Sequence, residues 1–344
     1  MPTALITGIT GQDGSYLTEC LLEQGYEVHG LVRRTSTLER SRLRHLYADP
    51  ELYNRRLFLH YCDLEDPTTL RRILVRVAPQ EVYHLAGQSH VGLSFEIAES
   101  TVESVAMGTL RLLEIVRDLP APPRLFHAAS SEVFGRPTQV PQTEDTPMAP
   151  VNPYGAAKAF AAQMVRIYRE KHGLFLVNGF LYNHESPRRG ENFVTRKISR
   201  AAAAIKLGQQ DSLILGDTSA CRDWGDARDY VRGMWLALKH DVPNDYVFAT
   251  GRLHSVQQFV EAAFAVVELD WRQYLRRDER LLRGQEPAQL VGDASRAGRE
   301  LGWAPNRDLP ALTRWMVEAD LADLSSRASG GKRKARSREV RGRR

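Results

Sequence analysis

Short apolar runs alternate with amphipathic stretches over the first 180 or so residues. Thr3-Ala-Leu-Ile-Thr7 is an apolar strand that runs into a glycine-rich turn, and Ser15 to Gln24 reads as a helix stopped by Gly25. The strand pattern returns at Glu27–Val32, Leu57–Tyr61, Glu81–Ala86, Arg124–Ala129 and Leu174–Leu181. Helical periods lie between, at Pro67–Val77, Ser100–Arg117 and Tyr154–His172. Such alternation predicts an α/β fold: a doubly wound, parallel Rossmann-type sheet with helices on both faces. Beyond about residue 183 the pattern loosens into polar loops and single helices, such as Ala227–Lys239 and Ser255–Val267. The chain is therefore divided into a nucleotide-binding domain over 1–182 and a smaller, mainly substrate-binding portion over 183–324. Some segments of that portion are expected to return to the first domain. The last helix is expected to begin at Asp308-Leu-Pro-Ala-Leu and to end near Leu324, leaving residues 325–344 as a basic, disordered tail.

Composition changes this picture little. With 344 residues, 42% hydrophobic and 26% charged, the chain has ordinary globular character. No apolar run approaches the roughly 18–20 residues of a membrane span, so no membrane partner is expected. The N-terminus enters a strand without a charged leader, and Cys20, Cys62 and Cys221 are far apart with no CxxC. A cytoplasmic protein without disulfides or a metal centre is the expectation. Charge is less uniform. The net +5 conceals a tail with nine Lys/Arg and one Glu, which is +8 and leaves −3 for the rest. No nucleic-acid partner is expected beyond non-specific contacts of that tail, although a polyanion-binding arm is its alternative reading.

The first strand–helix turn carries Gly8, Ile9, Thr10, Gly11, Gln12, Asp13 and Gly14. Glycines at this point of a βαβ unit allow a tight turn and bring a pyrophosphate against a helix N-terminus. A dinucleotide is the expected cofactor. The second strand ends in Arg33 and Arg34 rather than an acid, and two guanidiniums suit a 2′-phosphate, so NADP is favoured over NAD. Asp63, followed by Leu64, is placed to accept from the adenine amino group. Leu85, Ala86, Gly87, Gln88 and Ser89 follow the fourth strand, where small residues let backbone approach the cofactor. Ser100, opening the next helix, joins this set.

Ser130, Ser131 and Glu132 follow the fifth strand, and Tyr154 and Lys158 stand four apart on a helix, hence on one face. An ammonium beside a phenol lowers its pKa and makes Tyr154 a usable base. Tyr and Lys suffice for hydride chemistry; Glu132 adds the possibility of eliminating water. His184, Arg188 and Arg189 form a polar cluster after the strand ending at Leu181. Lys197 and Arg222 are candidate diphosphate ligands, and Asn183 and Glu185 candidate partners of substrate hydroxyls. Ser212 to Gly216 is a candidate border of a nucleobase pocket.

Several segments together resemble the GDP-mannose 4,6-dehydratase family of extended short-chain dehydrogenase/reductases. They are Gly8-Ile-Thr-Gly-Gln-Asp-Gly-Ser-Tyr-Leu17, Gly25-Tyr-Glu-Val-His-Gly30, Ser89-His-Val91, Asn183-His-Glu-Ser-Pro-Arg-Arg-Gly190 and Arg222-Asp-Trp-Gly225. The resemblance implies NADP, a GDP-mannose substrate and a homodimer or homotetramer, with His184 and Arg189 contacting the cofactor. It implies that Tyr154 and Lys158 serve oxidation at C4, that Glu132 moves the C5 proton, and that Ser130 and Ser89 meet the sugar. The family usually has Ala-Ser-Thr-Ser-Glu where this chain has Ala128-Ala-Ser-Ser-Glu132, so Ser130 keeps the hydroxyl but loses a β-branch. Arg283 stands near the usual phosphate-binding Arg, at shifted spacing. Another nucleotide-sugar dehydratase, epimerase, reductase or decarboxylase is the alternative. A non-catalytic NADP-binding protein with a polyanion-binding tail is a remoter one.

Overall fold

The computed structural model describes residues 1–33, 41–281 and 289–341, with side chains as far as residue 327. Arg34 and Arg283, both expected at the site, lie outside the described residues. The chain runs β1 (Thr3–Thr7), α1 (Gln12–Glu23), β2 (Glu27–Val32), a short α2 (Arg44–Tyr47), β3 (Leu57–Tyr61), α3 (Pro67–Val77) and β4 (Glu81–His84). It continues through α4 (Ala98–Val102), a π-helical turn (Glu103–Met107), α5 (Gly108–Arg117), β5 (Arg124–Ser130), α6 (Pro153–His172), β6 (Leu176–Leu181) and β7 (Asn183–Glu185). Then follow α7 (Val194–Lys206), β8 (Leu213–Leu215), β9 (Cys221–Asp226), α8 (Ala227–Lys239), β10 (Asp245–Phe248) and β11 (Leu253–Ser255). The chain closes with α9 (Val256–Val266), β12 (Leu275–Arg277), α10 (Ser295–Leu301) and α11 (Leu309–Arg341).

Residues Met1–His184, Asp223–Arg252 and Pro287–Asn306 form one compact unit. Its seven-stranded sheet has the order β10-β6-β5-β4-β1-β2-β3, with parallel pairings throughout. The strand order reverses between β1 and β4, and in such sheets a ligand crevice opens beyond the strands' carboxyl ends at that point. Leu5, Val82, Leu125 and Leu176 of the strands share one buried cluster with Leu70, Leu74, Leu112, Leu113 and Val165 of the helices. Each such side chain contributes about 1.5–3 kcal/mol by leaving water. Helix starts follow local chemistry: Asp66 accepts from Thr69 N–H at 3.0 Å ahead of Pro67, and Asn152 from Gly155 N–H at 2.7 Å ahead of Pro153.

Residues Glu185–Arg222, Leu253–Glu286 and Arg307–Arg344 form the second unit. Within it α7, α9 and α11 pack together, and β8 pairs with β12 in parallel. Helix α11 runs to Arg341, beyond the Leu324 end expected from sequence. Its Lys, Arg, Ala and Glu residues are good helix formers. Arg327 also pairs with Asp323 at 2.9 Å, and Ser326 Oγ donates to the Asp323 carbonyl at 2.8 Å. Among the described residues no helix is long and apolar enough to cross a membrane, and no group of three His, Cys, Asp or Glu is placed to hold a metal.

Candidate active site

The glycine turn after β1 is built for close approach. Gly8 adopts φ +75°, a left-handed conformation that favours glycine. A Cβ on Gly14 would stand 2.4 Å from Gly8 O and 2.6 Å from Ile9 Cα, so α1 begins in contact with the turn. Gly11 caps that helix without a side-chain hydrogen bond. This is a cradle for a phosphate group, and the residues fit a dinucleotide. His184 closes one side of it. Its Nε2 lies 2.9 Å from Asp13 Oδ2 and its Nδ1 2.7 Å from the Tyr182 carbonyl. Gln12 Nε2 donates to the His184 carbonyl at 3.0 Å, and the His184 ring stacks on Tyr230 at 4.5 Å.

Arg33, at the end of β2, is exposed. Arg42, a cation that sequence reasoning missed, donates to the Thr10 carbonyl at 3.1 Å and brings a guanidinium to the same turn. Its signal in the sequence was only a further Arg in a basic loop. Asp63 is exposed, Leu64 is buried against Gly108, and Ser89 and Ser100 are exposed. Gln88 donates to the His90 carbonyl at 3.0 Å and to Thr101 Oγ1 at 3.3 Å, which ties the loop after β4 to α4.

The catalytic candidates converge at the end of β5 and the start of α6. Ser130, Tyr154 and Lys158 are each at least nine-tenths buried. Ser130 Oγ accepts from the Glu132 N–H at 3.2 Å, which fixes the turn. Lys158 Nζ donates to the Ala128 carbonyl at 2.6 Å, and burial pushes its ammonium down to about 8. Asn152, also missed from sequence, joins the two elements. Its Oδ1 caps α6 while its Nδ2 donates to Glu132 Oε2 at 2.8 Å. The readable signal was an Asn immediately before Pro153, a helix cap whose second role depends on a partner twenty residues away. A Cβ on Gly155 would stand 2.5 Å from the Glu132 carbonyl, so only glycine lets α6 begin this close to the carboxylate's backbone.

In the second unit, Glu185 is buried, accepts from Thr195 Oγ1 at 2.5 Å and pairs with Arg189 at 3.2 Å. The Arg189 guanidinium also stacks on Phe193 at 3.7 Å. Lys197 is exposed on α7, and Arg222 donates to the Cys221 carbonyl at 2.7 Å. Gly216 fits against Leu281, where a Cβ would stand 2.6 Å from the carbonyl oxygen. Asn183 belongs to the first unit.

The family model described as GDP-mannose 4,6 dehydratase matches residues 5–316. The chain belongs to that family. GDP-mannose 4,6 dehydratase 1 of Arabidopsis thaliana is 52% identical over 323 residues, covering 92% of this chain and 89% of the relative. The human GDP-mannose 4,6 dehydratase is 47% identical over 338 residues, covering 92% and 91%. Among solved structures, the dTDP-glucose 4,6-dehydratase of Streptomyces venezuelae, with NAD bound, superposes at a TM-score of 0.79 and 26% identity, covering 92% of this chain and 97% of that one. In this dehydratase family member, then, the glycine cradle and the Ser130–Glu132–Tyr154–Lys158 set occupy the same compact unit.

Proposed function

We propose that the chain converts GDP-mannose to GDP-4-dehydro-6-deoxymannose and water, with NADP as a cofactor that is regenerated in each turnover. The observation that carries this reading is Glu132, a carboxylate held by Asn152 on the loop that leads from Ser130 to Tyr154. An epimerase or reductase using Tyr154 and Lys158 has no need of it. When bound, a nicotinamide would supply the hydride acceptor and donor that the redox changes at C4 and C6 require. Tyr154 takes the O4 proton, with Lys158 holding the phenolate charge and Ser130 donating to O4 as charge develops there. The ketone acidifies C5–H; Glu132 removes that proton and passes it to the departing C6 hydroxyl, which leaves as water. The proton stored on Tyr154 returns to C5, so no proton is gained or lost overall.

Arg42 supports NADP through its charge beside the glycine turn, and Arg33 is proposed to add to it. Arg34 is proposed to join them. His184 and Arg189 are proposed as cofactor contacts. Asn183, Glu185, Gly216 and Arg283 are proposed for the sugar nucleotide, and Lys197 and Arg222 supply the positive charge its diphosphate requires. Incubation of the full chain with GDP-mannose and catalytic NADP, with UDP- and dTDP-hexoses and with NAD run in parallel, tests the proposal. Mass spectrometry should show loss of water from GDP-mannose without net NADPH. An unchanged GDP-mannose mass would overturn it.

A homo-oligomer is proposed on the apolar surface of the first unit, where Phe95, Val102, Phe160 and Ile167 are 64%, 41%, 42% and 50% exposed. Phe160 and Ile167 stand seven apart on α6, one stripe of the helix. Ile167→Glu should shift the sedimentation coefficient to that of a monomer; an unchanged assembly would assign the interface elsewhere. A cytoplasmic location is proposed on the three free cysteines.

A further inference from the structure

We infer that His84 and Thr109 are positioning residues that set the loop Leu85–Ser89 through Thr7, an inference that rests on the proposed NADP-binding role of that loop. Thr7 ends β1 and His84 ends β4, the two strands that flank the point where the strand order reverses. Thr7 Oγ1 lies 2.8 Å from His84 Nδ1, and His84 Nε2 lies 3.0 Å from Thr109 Oγ1. Thr109 Oγ1 donates to the Val105 carbonyl at 2.6 Å.

The direction of every bond in this chain is forced. A carbonyl only accepts, so the Thr109 hydroxyl spends its single proton on Val105. It must then accept from His84 Nε2–H. A neutral imidazole with its proton on Nε2 accepts at Nδ1, so Thr7 donates there. The lone pairs of Thr7 Oγ1 are left to take two backbone donors, Leu85 N–H and Ala86 N–H, both at 3.1 Å. One route of hydrogen bonds thus runs from the π-helical turn to the loop backbone. A second contact reinforces it: Gly87 lies against the same turn, where a Cβ would stand 3.2 Å from Val105 Cγ2. Val105 and Ala106 of the turn share a buried cluster with Ala157, the residue before Lys158. The turn therefore touches both the loop and the helix of the catalytic pair.

The ring must be neutral for this to hold. Protonated His84 would present N–H to Thr7, which would then face three donors and have nowhere to send its own proton. The groups facing His84 agree with a neutral ring. Burial first, then the electrostatic influence of His127 and of the Lys158 ammonium, hold His84 well below the usual imidazole range. His127, its register partner across β4 and β5, is likewise pushed down, to about 3, by burial and then by Lys158. His127 Nδ1 lies 2.9 Å from Asn178 Oδ1, which gives that nitrogen its own partner.

The test measures NADP affinity and GDP-mannose affinity by calorimetry, and kcat, on the full chain. Thr109→Val keeps the shape and removes the acceptor for His84 Nε2–H. Loss of one buried hydrogen bond should weaken NADP binding about tenfold. GDP-mannose affinity, and kcat at saturating NADP, should remain at wild-type values. Thr109→Ser should restore NADP affinity. His84→Leu should give the same selective loss and His84→Gln, which can both donate and accept, should recover it. Wild-type NADP affinity in both Thr109→Val and His84→Leu would overturn the inference. So would a parallel loss of both affinities together with a lower Tm, the mark of a merely structural role. Failure of the wild-type chain to bind NADP would instead refute the cofactor reading on which the inference stands.

Discussion

Glu132→Gln should lower steady-state dehydration of GDP-mannose by about 10²–10⁴-fold, the range ascribed to a positioned general acid–base. The substitution keeps the size of the side chain and an oxygen that can accept from Asn152 Nδ2, so the loop and the α6 cap have no reason to move. What it removes is the group proposed to take the C5 proton and give one to the C6 hydroxyl. Tyr154, Lys158 and Ser130 remain, so oxidation at C4 should proceed and then stop. With stoichiometric enzyme and GDP-mannose, the near-ultraviolet absorbance of reduced nicotinamide should rise and persist. Wild-type enzyme should show no lasting rise. Tyr154→Phe offers the contrast, since it should abolish that rise as well as the product. Release of 4-keto-6-deoxy sugar by Glu132→Gln at the wild-type rate would exclude Glu132 as the base.

The parts of this site that were legible in the sequence are those in which one local pattern carries the chemistry. Gly8 to Gly14 could be placed because a strand precedes it and a helix follows. Tyr154 and Lys158 could be paired because helix geometry makes residues four apart neighbours. The parallel sheet was legible for a similar reason, since strands buried on both faces read as apolar runs. The contacts that hold these parts in place were not. Thr7 and His84 are 77 positions apart, and Gln12 meets the His184 carbonyl across 172. Nothing local in Thr-Gly or Tyr-His-Leu announces a partner at such a distance. Asn152 illustrates the boundary case: its capping role is written in the Pro that follows, whereas its hold on Glu132 needs the loop and helix to be folded together. Helix α11 runs past Leu324 to Arg341, a continuation for which the basic, apolar-poor segment after residue 325 carries no hydrophobic pattern.

Asp320→Ala should destabilise the second unit by about 3–5 kcal/mol, the cost of breaking a buried ion pair by removing one partner. Asp320 lies on α11 and is fully buried. It accepts from Arg196 of α7 and from Ser199 Oγ at 2.7 Å, with Arg200 at 3.9 Å. Burial raises its carboxyl above the ordinary range, against the opposing pull of Arg196. The alanine variant leaves the Arg196 guanidinium, itself only 9% exposed at the side chain, without its charge partner. Removing both charges is a different experiment. Arg196→Met combined with Asp320→Leu replaces the pair with apolar groups of similar volume, and such replacements are often neutral or stabilising. The double variant should therefore recover most of the stability that Asp320→Ala loses, an outcome that separates an orphaned charge from lost packing. Urea unfolding followed by far-ultraviolet dichroism reads both. An Asp320→Ala midpoint at the wild-type value would show that α7 and α11 are held by their apolar contacts alone.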